Sequence, residues 1–191
     1  MTVRLHRGDL PDLSRYGREV AIDTETMGLD PRRDRLCVVQ LSPGDGSADV
    51  IQIPADLKDA PNLVKMLADP GVTKIFHYAR FDMAVLKHRF GVVTGPIYCT
   101  KIASRLVRTY TDRHGLKDIV RELLNIDLSK QQQSSDWGLE NSLTRSSTTP
   151  PRTSFTCMTS SATSTACWRA RGGANWRRPA SASSPPASSS T

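Results

Sequence analysis

Asp23-Thr-Glu25 is the first place in the chain where residue types and spacing could hold a reactive cation. Side chains two apart on an extended strand point to the same face, so these two carboxylates would share one location. The preceding Val20-Ala-Ile22 makes the strand look central, and a carboxylate there is costly unless paired or bound to metal. A wet edge strand is the commoner meaning of Asp-x-Glu taken alone. A further acid changes the balance. In His77-Tyr-Ala-Arg-Phe-Asp82, Asp82 falls just past a strand-like run, in the first turn of a helix-like one. The helix dipole favours an acid at that position, and metal binding is compatible with it. Hard divalent ions prefer such oxygen ligands, and two of them about 4 Å apart can activate water and stabilise a leaving oxygen at phosphorus.

The elements that must position these acids can be read up to about Glu140. Strands are expected at Glu19–Glu25, Arg35–Ser42 and Asp49–Ile53, all rich in β-branched residues, with Pro43-Gly-Asp-Gly46 turning the last two into a hairpin. A phosphate-binding glycine loop is rejected at that turn, because no Lys-Ser/Thr follows and a strand comes next. Asn62–Ala68 reads as a short helix stopped by Pro70-Gly71, and Thr73–His77 as another strand. Helical periodicity then takes over: Phe81, Val85, Leu86 and Phe90 up to Gly91, next Ile102 and Leu106, later Leu116, Ile119, Val120, Leu123 and Leu124. Three strands in a meander followed by alternating helices and strands predict an α/β fold with a mixed sheet flanked by helices.

Charge does not identify a partner. The net charge is +7, but residues 1–140 hold 20 Lys and Arg against 19 acids, whereas 141–191 hold 6 Arg and no acid. Cys37, Cys99, Cys157 and Cys167 show no zinc or disulfide-framework spacing, and Cys37 and Cys99 read as small buried hydrophobes. No run approaches the length of a membrane span, and the N-terminal segment lacks the apolar stretch of a secretory signal, so the expected compartment is the cytoplasm and no membrane partner is expected.

Taken together, Val20-Ala-Ile-Asp23-Thr-Glu25, then Arg35-Leu-Cys-Val-Val-Gln-Leu41, then Ala79-Arg-Phe-Asp82 resemble, in order and spacing, the first two motifs of DEDD-type 3′-to-5′ exonucleases of the ribonuclease D group. Thr100-Lys-Ile-Ala-Ser104, Thr109–Lys117 and Lys130-Gln-Gln-Gln-Ser-Ser-Asp-Trp137 make the chain look most like the short, single-domain members called nano-RNase C. The resemblance covers about three quarters of the chain and implies a ribonuclease H-like fold, two divalent cations (Mg²⁺ or Mn²⁺), short single-stranded RNA as substrate, and homo-oligomeric assembly. It further implies that Asp23 bridges both ions, Glu25 binds the ion carrying the nucleophilic water, and Asp82 holds the other. His77 and Arg80 are candidates to face substrate phosphate. Gln131, Gln132, Gln133 and Trp137 are candidates either to line the nucleotide site or to pack a final helix. His88 and His114 lack ligand spacing, and Arg105, Arg108 and Arg113 read as a solvated helix face near Tyr110. Two other functions stay open: a DNA-directed exonuclease of the same fold, since no residue here reads a 2′-hydroxyl, and a catalytically dead nucleic-acid-binding module.

The family's third motif, Tyr-x-x-x-Asp, is missing from the translated frame. After Glu140 the last 51 residues contain no Asp, Glu, Lys, Val, Ile, Gln, His or Tyr, and Leu143 is their single leucine. Such a Ser-, Thr-, Ala-, Pro- and Arg-rich segment has almost nothing to bury and is expected to be a low-complexity, disordered tail. Read one base out of register, however, Thr148 to Met158 can encode Tyr-Ala-Ala-Ser-Asp-Val-Leu-Tyr-Leu-His, which carries the missing motif. Arg178 to Ala187 can likewise encode an apolar run, Ala-Cys-Phe-Arg-Phe-Leu-Pro-Ala-Arg. The expected organisation is therefore an exonuclease domain over 1–140, C-terminally incomplete, followed by a frameshifted 141–191. Without the third motif's Asp and Tyr, turnover is expected to be impaired severely.

Overall fold

The structure is a computed structural model and describes residues 2–127. Its elements are β1 (Thr2–Arg7), β2 (Glu19–Thr26), β3 (Leu36–Ser42), β4 (Ser47–Gln52), α1 (Pro61–Ala68), β5 (Thr73–Phe76), α2 (Arg80–Phe90), β6 (Ile97–Cys99), α3 (Thr100–Val107) and α4 (Leu116–Leu124). The strands form one six-stranded sheet in the order β1-β4-β3-β2-β5-β6. β2, β3 and β4 are an antiparallel meander, while β5 and β6 add in parallel on the far side of β2. With helices packed against this mixed sheet, the arrangement is the ribonuclease H-like fold that the motifs implied.

Two strands escaped the sequence reading. β1 runs parallel to β4 at one edge, and β6 closes the other. Neither had a legible pattern: β1 alternates with charges (Arg4, His6, Arg7) and β6 is three residues long.

Apolar side chains from both layers build the main core. Val20 and Ile22 of β2, Leu41 of β3, Ile51 of β4 and Phe76 of β5 meet Leu63, Met66 and Leu67 of α1 and Val85 and Leu86 of α2. Lys74, fully buried on β5, stays compatible with this core because its Nζ donates to the carbonyls of Asp69 and Gly95. The β3–β4 turn needs its glycines, since Gly44 and Gly46 have φ of 86° and 81°. α1 starts at Pro61 and is capped from a distance. Asp9, in the loop after β1, accepts the backbone N–H groups of Asn62 and Leu63 at 2.8 and 2.9 Å.

The periodicity that marked Ile102 and Leu106 does belong to a helix, α3, but these two residues are 59% and 74% exposed, and α3 buries Thr100 and Ser104. Arg108 is not on a solvated face. It is buried, donates to Ser104 Oγ at 3.0 Å and to the carbonyl of Arg113 at 2.6 Å, and pairs with Glu122. A helical spacing alone does not say which side faces inward, and here a buried polar network decided it. Cys37 is buried as expected, whereas Cys99 is only half-buried.

One carboxylate ties the edge strand down. Buried Asp49 on β4 receives Arg4 Nε and His6 Nε2 of β1 on one oxygen, both at 2.9 Å. On the other it receives Arg15 Nη1 at 2.8 Å and Tyr16 Oη at 2.7 Å. Burial opposes ionisation of this group, yet the hydrogen bonds from His6, Tyr16 and Arg4 overcome it and hold its carboxyl below the usual carboxylate range. Its contribution to stability is therefore present above that range and is lost as the pH falls through the depressed value. Asp49→Ala should destabilise the fold by about 1–3 kcal/mol, because it leaves several part-buried donors without their shared acceptor. The measurement is the urea midpoint at neutral pH, and an unchanged midpoint would refute the clamp.

Candidate active site

Three acids reach one corner of the sheet by separate routes. β2 lies between β3 and β5, so its end is central, and Asp23 and Glu25 stand opposite Gln40 and Val38 of β3. The β2–β3 register shifts between Glu25 and Thr26, ending regular pairing just beyond the second acid. Asp82 arrives from α2, whose first turn it occupies, and Thr24 Oγ1 donates to its Oδ1 at 2.7 Å. The residue between the two β2 acids thus ties the third to the same strand.

The connection from β5 into α2 is bent at Tyr78, a non-glycine residue at φ 68°. Such a conformation is strained for a side chain of that size and clusters at functional sites. Its ring carries Lys101 Nζ at 4.4 Å from the centroid.

Electrostatics show that the acids share a neighbourhood. Burial pushes Asp23 up to about 6, against the pull of the Thr24 backbone N–H. Glu25 is pushed up to about 8, first by burial and then by the charges of Asp23 and Asp82. Asp82 is pushed up to about 7, by burial and by Asp23, with the Thr24 hydroxyl opposing. None of the three forms an ion pair with Lys or Arg among the described residues. Nor, among those residues, do three acidic, histidine or cysteine side chains close into a ready-made metal cage. The corner thus holds three hard oxygen donors with no cation of the protein's own to balance them. That donor set fits Mg²⁺ or Mn²⁺ and leaves room for a ligand from elsewhere.

The other candidates divide. His77, at the end of β5, is half-buried, and its Nδ1 lies 2.9 Å from Thr100 Oγ1. The Thr100 hydroxyl donates its single proton to the Phe76 carbonyl at 3.1 Å, so His77 Nδ1 is the donor of this pair. Burial, and then Lys101, lowers His77 to about 4. At neutral pH it is an uncharged hydrogen-bonding group and not a phosphate-binding cation. Arg80 is exposed at the first position of α2. Gln131, Gln132, Gln133 and Trp137 lie outside the described residues, as does everything after Asp127. The sequence reading missed Thr24, Tyr78 and Thr100. It also passed over Met27 and Leu29, which follow Glu25 and are 61% and 87% exposed. The short Thr24 hydroxyl inside Asp-x-Glu was the one available signal; the others depend on backbone geometry.

Comparison with known proteins bears on this corner. Residues 10–154 match the family described as 3′-5′ exonuclease, a span that passes the compositional boundary near 140. Ribonuclease D of Acidiphilium cryptum is 35% identical over 118 residues, covering 62% of this chain and 30% of that protein. The chain thus spans about a third of the curated ribonuclease D relatives it matches. NrnC of Brucella melitensis bound to pGG is 54% identical, with a TM-score of 0.79, over 90% of this chain and 81% of that one. The same protein with bound Mg²⁺ gives 52%, 0.74, 90% and 84%.

Raised carboxyl values carry a signed pH dependence. The folded protein keeps protons that the unfolded chain releases near pH 4, so without metal its stability falls as the pH rises from about 4 through about 8. A divalent cation offsets that loss by binding the ionised form. Added Mg²⁺ should therefore raise the melting temperature more at pH 8 than at about pH 5.5, and its binding should release protons. Calorimetry at the two pH values checks this, and an equal increment at both would contradict it.

Proposed function

The chain belongs to the 3′-5′ exonuclease family, and from that premise we propose that this site removes nucleotides from the 3′ end of short single-stranded RNA by metal-assisted phosphodiester hydrolysis. The observation carrying the proposal is the convergence of Asp23, Glu25 and Asp82 on one half-buried corner with no counter-cation among the described residues, each raising or raised by another. Two divalent ions bound there would supply charge neutralisation and an activated water at neutral pH. In this reading Asp23, Glu25 and Asp82, the last steadied by the Thr24 hydroxyl, would be the residues that hold them. Mg²⁺ on the similar NrnC and its occupant pGG support a hard-cation site and a ligand of that small size. Exposed Met27 and Leu29 offer apolar surface beside Glu25 for a terminal base, and Arg80 offers charge for a phosphate. Gln133 and Trp137 are proposed to complete the nucleotide site. We further propose a cytoplasmic, homo-oligomeric enzyme; no helix among the described residues is long and apolar enough to cross a membrane.

The translated sequence lacks the Tyr and Asp of the third motif, and we propose that residues 141–191 are read out of frame. A two-metal site depends on complete coordination, so the chain as written should be nearly inactive. Its missing motif favours a second reading, a nucleic-acid-binding module without turnover, in which binding persists in chelator and falls when 141–191 are removed.

Two experiments test this. The chain and a frame-restored version are assayed side by side with Mg²⁺ on a short oligoribonucleotide and its DNA counterpart, while DNA sequencing spans codons 136–160. The restored form should degrade RNA from the 3′ end and the chain as written should not; equal rates would refute the frame proposal. In the restored form, Asp23→Asn should lower kcat by at least about 100-fold, since even losing an outer partner of a metal ligand costs tens-fold. Retention of full activity by that variant would remove the nuclease assignment from this corner.

A further inference from the structure

A second feature lies beyond the acids along α2. The β2–β3 loop, the segment after β4 and the far end of α2 enclose a cleft of about 300 Å³ whose polar lining is Arg32, Arg33, Asp34, Arg35, His88 and Arg89. Four guanidinium groups face one carboxylate there, in a domain whose first 140 residues are otherwise almost neutral. Two of the four are already engaged: Arg33 pairs with Asp34, and Arg35 Nη1 donates to the Ile53 carbonyl at 3.1 Å. Asp34 accepts Arg33 Nε and Nη2 at 2.8 and 3.0 Å and the Asp30 backbone N–H at 3.0 Å. The loop closes so tightly on this carboxylate that a Cβ at Gly28 would lie 2.2 Å from Asp34 Oδ2. Arg89 is fixed by one hydrogen bond, to the Leu57 carbonyl at 2.5 Å, which leaves most of its five donors for another acceptor. Arg32 has only a 3.7 Å contact with Asp30 and a side chain that is 87% exposed.

The position of this cleft relative to the acids gives it a use. Asp82, Val85 and Arg89 are at i, i+3 and i+7, hence on one side of α2, and Val85 itself borders the cleft. Seven residues of helix are about 10 Å, the rise of about three stacked nucleotides. We propose that this cleft binds the phosphate backbone of a nucleic-acid strand some nucleotides away from the end held at Asp23, Glu25 and Asp82. The site extends the nuclease reading and rests on it for the strand's other anchor. It sorts substrates by length: a strand of several nucleotides reaches both places, and a dinucleotide reaches only the acids.

Binding of 5′-labelled single-stranded RNA to the full chain, measured by fluorescence anisotropy with Ca²⁺ in place of Mg²⁺ so that the acids keep a cation, tests the cleft without a hydrolysis readout. For a decamer, the Arg32→Ala/Arg89→Ala double variant should raise Kd about 10-fold and lower the slope of log affinity against log salt by about 1.4, two phosphates at about 0.7 each. For a dinucleotide its effect should stay under about twofold, a length dependence that a structural fault would not produce. Lys65→Ala/Lys117→Ala, removing equal charge from exposed positions elsewhere, should change decamer affinity by less than about twofold. Arg89→Lys, which keeps the charge, should retain most of the affinity.

Besides an unchanged decamer affinity in the Arg32→Ala/Arg89→Ala variant, any of four results would overturn the proposal. These are equal losses in the two double variants, an equal penalty at both lengths, displacement of the decamer by inorganic phosphate at similar concentrations, and a change in assembly size in place of affinity. Because no cleavage is measured, a failed hydrolysis assay would bear on the nuclease reading alone. Unchanged decamer affinity in the Arg32→Ala/Arg89→Ala variant would bear on the cleft alone.

Discussion

Three carboxylates held in one half-buried corner repel one another and lose hydration, and the fold must supply the free energy to keep them there. Each route into the corner is anchored by something that does not depend on the acids themselves. β2 is fixed by neighbours on both sides, and its apolar residues Val20 and Ile22 are sunk in the main core. Asp82 rides on a helix whose Val85 and Leu86 are buried in the same core. The Thr24 hydroxyl links the two supports. The resulting strain appears as carboxyl groups that hold their protons up to about neutrality. That electrostatic setting is what marks a candidate functional site.

The periphery serves the same end by closing the sheet. β1 covers the edge of β4 and is clamped by Asp49; Asp9 in the following loop caps α1, so one N-terminal segment secures both a strand and a helix. Lys74 ties the loops before β5 and β6 to the interior through the carbonyls of Asp69 and Gly95. These buried polar groups carry no chemistry of their own. They are fully partnered, which is how an interior tolerates them.

The parts of this design visible in the sequence were those with short-range patterns. Asp23-Thr-Glu25 on a β-branched run and Asp82 at a strand-to-helix junction were legible because strand alternation and helix onset act within a few residues. The meander, its hairpin turn and the helix ended by Gly91 followed for the same reason. What stayed hidden depends on contacts between distant segments. β1 is recognisable as a strand only once Asp49 is known to collect its Arg4 and His6. Arg108 was placed on a solvated face because its network with Ser104 and Glu122 is one that periodicity cannot register. The positive φ of Tyr78 had no sequence signal at all, since glycine would have been the expected residue there.

The His77 tautomer has its own chemical meaning. With the Nδ1 proton given to Thr100 Oγ1, the ring keeps only a lone pair at Nε2 as its second polar contact. A lone pair welcomes hydroxyl or amino hydrogens and turns oxyanions away.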